Sequence, residues 1–181
     1  MRRIPLFVLL AMATSASAFA QATPETEIAV LAIPANMREA ATVLKWKPDQ
    51  TYDTLKTGTN GLVCWDRSGF PLQQPFSVEC TSMGNIPRAA QNMKGEAVGD
   101  RAKAQALFDA MEKDGTRVKP EFGSVWYHLA GKDRESARSH MTIATPGATA
   151  QSMGIPDKRR DSGIWIMNAG TSTAHIMTPG E

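Results

Sequence analysis

His128, His140 and His175 are the chain's three histidines, and all three fall in β-patterned runs of its last third. Imidazole is the side chain whose ordinary pKa lies nearest neutrality, so these positions are the first candidates for acid–base, ligand or metal chemistry. His175 and Met177 alternate along one strand, which puts both side chains on one face. Imidazole beside thioether is a soft-leaning donor pair that suits Cu(I), and zinc is the other candidate ion; Met167 and His140, on strands before it, could complete a set. The plainer reading is that strand methionines fill core and strand histidines are solvated or hydrogen-bonded. Hydrolysis would need a histidine base beside Ser139, Thr171 or Ser172, or a carboxylate such as Glu121, although serine and threonine next to Gly170 are also ordinary turn formers. Trp65, Trp126, Tyr127 and Trp165 could stack a ligand if exposed, with Trp126 and His128 sharing a face as a candidate binding pair. Burial of these aromatics against a helix over 100–113 is the alternative. No GxSxG, HExxH, GxxxxGK[ST] or GxGxxG occurs, so no catalytic or nucleotide motif names a reaction, and the residues favour a binding domain over an enzyme.

The segment from Gly58 to Cys80 must organise what positions these residues. Leu62, Val63 and Trp65 read as a strand and Phe76, Val78 and Cys80 as its return, with Asp66, Arg67, Ser68, Gly69 and Pro71 supplying loop chemistry. Cys64 and Cys80 are the only cysteines. A disulfide between them would close a loop of about 15 residues and stabilise the fold by roughly 3 kcal/mol in the chain-entropy model. With no CxxC and no second cysteine pair, thioredoxin-like chemistry and a four-cysteine zinc site are unsupported.

Thr23-Pro24-Glu25 predicts a helix start, Pro34 its stop, and 36–40 a turn or short helical piece. Residues 41–46 and 52–56 read as strands. Residues 87–94 and 100–113 read as helices, Asp100 capping the second. Ala104, Leu107, Phe108 and Met111 form a stripe on that second helix, for which the expected partner is the sheet. The remainder reads as β at 123–129, 139–145, 163–168 and 174–178, the first two as a hairpin. HMTIATPG and HIMTPG repeat one another, which suggests similar places in the sheet.

The opening MRRIPLFVLLAMATSASAFA has a basic start, an apolar core and an Ala18-Phe19-Ala20 end, the pattern of a secretory signal peptide over 1–20, leaving 21–181 as a single exported domain. The expected address is periplasmic or secreted, with no membrane span after the leader is removed. Two of the 20 Lys and Arg lie in that leader, leaving 18 against 18 Asp and Glu. A net charge near zero, with no basic run interleaved with aromatics, argues against nucleic acid as partner.

Thr59-Asn60-Gly61 leading to Cys64, the second cysteine after a Pro-rich loop, the Ser139-His140-Met141 strand, and the closing Trp165-Ile166-Met167, Ala169-Gly170-Thr171 and Ala174-His175-Ile176-Met177 resemble a family of small exported bacterial proteins with no assigned activity. The resemblance implies an exported α+β domain and transfers no catalytic residue. Many of that family carry an aromatic where this chain has Thr173. The expected fold is α+β: a mostly antiparallel sheet of about five to seven strands, two central helices packed on one face, and one disulfide-pinned hairpin. The expected function is an exported, soluble, non-enzymatic domain that binds an unidentified cell-envelope ligand; a His/Met copper or zinc protein is the alternative and a small hydrolase the third.

Overall fold

The computed structural model describes residues 23–178. The expected signal peptide over 1–20 and residues 179–181, which include the Pro-Gly of the second repeat, lie outside the described residues.

Thr23 opens the first helix, α1 (Pro24–Ala29), through a reciprocal capping box with Thr26, and a short helix α2 (Ala35–Arg38) follows Pro34. Eight strands then form one sheet: β1 (Thr42–Trp46), β2 (Tyr52–Lys56), β3 (Leu62–Asp66), β4 (Phe76–Ser82), β5 (Val125–Gly131), β6 (Arg138–Ala144), β7 (Trp165–Met167) and β8 (His175–Met177). Their order is β2-β1-β3-β4-β5-β6-β8-β7. Every neighbouring pair is antiparallel except β1 with β3. All eight segments with strand patterning pair, one more than the upper expectation, because even the three-residue β7 and β8 find partners.

After β2 the chain crosses the start of β1, where Thr59 and Asn60 both donate to the Ala40 carbonyl. Gly58 makes that crossing possible, since a Cβ there would lie 2.2 Å from the Ala40 carbonyl oxygen.

The sheet is covered on both faces. α1 and the residues after it seal one face, where Ala29, Val30 and Ile33 pack on Val43, Val78 and the Cys64–Cys80 disulfide. Cys64 and Cys80 are direct register partners on β3 and β4, so the bridge pins the hairpin as expected. The other face packs Leu44, Trp46, Val63, Trp65, Trp126 and Ala144 against Ala89 and Met93 of α3 (Ile86–Glu96).

The next helix, α4 (Arg101–Lys113), is capped by Asp100 accepting from the Lys103 amide at 2.9 Å. Its apolar stripe meets α3 instead of the sheet: Phe108 lies against Gly95, where a Cβ would come within 2.3 Å of the ring. The two helices therefore share one side in successive layers. Trp65 and Trp126 accordingly pack in the cluster with α3, not on the helix over 100–113 as expected, while Tyr127 packs on the opposite face with the α1 cluster. A last short helix, α5 (Ala150–Met153), sits in the connection before β7, with Met153 and Ile155 tucked against Ala148, Ile166 and Ala174. Among the described residues no helix is long and apolar enough to cross a membrane.

Candidate functional site

Strand alternation and register place the polar residues of the α3-covered face. Trp65, Glu79, His128 and His140 are successive register partners across β3, β4, β5 and β6. Direct partners share a face, so Glu79 and the two imidazoles form a row beside the tryptophan core. The His128 and His140 rings stand 6.1 Å apart. His175 partners Ala144 on β6 and Met167 on β7, which puts it on the same face.

All three histidines line one cavity of about 300 Å3, together with Arg67, Arg88, Thr142 and Thr173. The sequence repeat places them differently from expectation. β6 and β8 lie side by side but run antiparallel, so their leading histidines fall at opposite ends. His175 is level with Ala144, four residues along β6 from His140, or about 13 Å at strand rise. The histidines thus share a cavity without closing on a point. Among the described residues no three His, Cys, Asp or Glu side chains come together in a way that could hold a metal ion. Met167 is the direct partner of His175, and Met177 shares its face opposite Thr142.

His175 Nδ1 lies 2.7 Å from the Thr173 carbonyl oxygen. A carbonyl only accepts, so Nδ1 carries the proton and Nε2 keeps its lone pair in the neutral ring. Burial holds the His175 pKa below its ordinary value, with the Thr173 carbonyl opposing. Burial also lowers His128, against the pull of Glu79.

The charges at the two ends of the cavity differ. At one end Arg67 donates through Nη1 to Glu79 and through Nη2 to Glu96, with Gln73 also donating to Glu96 at 2.9 Å. Burial works against the charge on Arg67, but the two carboxylates outweigh it and hold the guanidinium above its ordinary value. At the other end Arg88, 3% exposed, donates to the Val118 carbonyl at 2.6 Å, to Ser172 at 3.1 Å and to Thr173 at 2.8 Å. No carboxylate lies within ion-pair distance of it among the described residues. Burial pushes its pKa down to about 10, opposed by Glu112, so it remains a cation at neutral pH.

The hydrolytic candidates do not assemble around a histidine. Ser172 is buried and gives both its amide and its hydroxyl proton to Glu112; Thr171 donates to the Asn168 carbonyl at 2.8 Å; Glu121 accepts from Ser82. Ser139 is exposed on β6 and partners Leu129. Trp126, 8% exposed, belongs to the core and shows its remaining edge to the cavity beside His128.

Sequence reasoning missed Arg67, Glu79 and Arg88. Arg67 sits among turn residues and Arg88 in an ordinary polar helix. The readable signal was Glu79, a carboxylate between Val78 and Cys80 inside a strand whose other face is core.

Compared with protein-family models, with curated proteins and with solved structures, the chain matches none, so its functional reading rests on its own residues and geometry.

Proposed function

We propose that this chain is an exported, non-enzymatic bacterial domain that binds a small ligand in the cavity between α3 and the strands β4, β5, β6 and β8. The observation that carries the reading is the gathering of all three histidines and two buried arginines around one cavity. Buried charge is costly unless it is used or paired, and a concave site with few convergent polar groups is where small molecules bind. The signal-peptide pattern and the Cys64–Cys80 disulfide, which suits an oxidising compartment, support export.

Protein purified from a periplasmic fraction should release a small molecule on denaturation, detected by mass spectrometry. Thr173→Phe, which puts a ring into the cavity, should come out without it. Equal recovery from both proteins would remove the cavity as the binding site.

A second reading, copper or zinc binding, has the register of Met167 and His175 with Met177 in its favour. Elemental analysis of the same preparation decides it: stoichiometric metal that disappears in His175→Ala, Met177→Ala would make β8 a metal site, and metal-free protein would leave these residues as sheet structure.

A further inference from the structure

Among the described residues, whereas Arg67 has two carboxylate partners, Arg88 is the cavity's guanidinium without one. A guanidinium has five N–H donors, and this one uses three, on Val118, Ser172 and Thr173. Its Nε–H and one Nη2–H have no acceptor among the described residues. All three partners are neutral oxygens, so the site supplies geometry but no counter-charge at contact distance. Thr173, Trp126 and His175 line the same cavity, offering a hydroxyl, an aromatic edge and, at the neutral imidazole's Nε2, an acceptor.

The far end limits what can enter. There one guanidinium, Arg67, serves two carboxylates, leaving a formal charge of −1 on the group of Arg67, Glu79 and Glu96. In a low-dielectric cavity a ligand's second negative group would face that charge at a cost. The cavity volume of about 300 Å3 stands at the small end of ligand pockets.

Resting on the binding reading above, we propose that the cavity takes a small organic monocarboxylate, its carboxylate oxygens accepting the two unpartnered N–H groups of Arg88 and its apolar body lying along Trp126. Paired N–H···O bonds between guanidinium and carboxylate are the strong and directional form of this contact. No bond is made or broken; the ligand is held by charge, hydrogen bonds and one apolar wall.

Isothermal titration with benzoate, benzamide, succinate and inorganic phosphate tests the class. Benzoate should bind at least tenfold more tightly than its neutral isostere benzamide, and at least tenfold more tightly than succinate or phosphate. Arg88→Gln should erase the preference for benzoate over benzamide. Because that variant also loses contacts to Val118 and Ser172, the wild-type Arg88 Nε–H resonance provides a second readout: it should move on adding benzoate and stay still with benzamide. Equal binding of benzoate and benzamide, tighter binding of phosphate or succinate, or no binding of benzoate overturns the monocarboxylate. Thr173→Phe separates the two levels of the account. If it abolishes benzamide binding that equals benzoate binding, the cavity stands and the carboxylate class falls. If benzoate binds Thr173→Phe as it binds wild type, the site lies elsewhere and both fall.

Discussion

Replacing Arg67 by methionine keeps most of the side-chain length and removes the cation that bridges Glu79 and Glu96. Arg67 and Glu79 are almost fully buried, with side-chain exposures of 8% and 3%, and Glu96 stands at 20%, so solvent screens the group poorly. Breaking a buried ion pair by removing one partner costs about 3–5 kcal/mol, because a charge is left uncompensated. With an urea m-value of about 2 kcal/mol/M, a loss of that size lowers the unfolding midpoint by about 2 M. The pH dependence gives the reasoning its sharper test. In Arg67→Met two carboxylates share a desolvated site, so their folded-state pKa values rise above the unfolded value of about 4.3. A group raised in this way adds stability when protonated and loses it as pH climbs through the folded pKa. The variant's deficit should therefore be largest at pH 7.5 and shrink toward pH 5. Urea unfolding of both proteins at the two pH values reads it directly. A deficit under about 1 kcal/mol at pH 7.5, or one that is the same at both pH values, would refute the account of the buried triad.

Removing the disulfide by Cys64→Ala, Cys80→Ala should cost about 3 kcal/mol, seen as a lower thermal midpoint that reductant no longer changes; an unchanged midpoint would mean that the bridge constrains little. Gly58→Ala should destabilise by about 1–3 kcal/mol through collision with the Ala40 carbonyl, measured by urea unfolding, and wild-type stability would show that the crossing relaxes freely. His128 and His175 have folded pKa values depressed by burial. A depressed imidazole contributes stability above its unfolded pKa of about 6.5, and that contribution is lost as pH falls through the folded pKa. Stability should accordingly decline below about pH 6.5, and His128→Gln should flatten the decline; an unaltered slope in the variant would assign it to other groups.

The strands were legible because 41–46, 62–65 and 76–80 are short apolar-rich runs bounded by turn residues, and the cysteines marked their own pairing. Sheet order was not, because the parallel pairing of β1 with β3 depends on a crossing at Gly58 that no local pattern announces. The stripe on α4 showed correctly that the helix covers something, but a stripe does not say what, and α3 intervened. In the site, alternation put Trp126 and His128 on one face, and β-patterning put all three histidines in one sheet. Their separation required the antiparallel register of β6 and β8. The buried charges escaped because Arg67 and Arg88 have the sequence surroundings of solvent-exposed residues, and only tertiary packing encloses them.

Since the chain's histidines number three and all line the cavity, imidazole NMR of histidine-labelled protein reports on the site with nothing else in the spectrum. Titration with the low-molecular-weight fraction of the periplasm should shift the signals of His128, His140 and His175 together while raising the thermal midpoint. A raised midpoint with all three imidazoles unmoved would place binding elsewhere and contradict the cavity as the functional site.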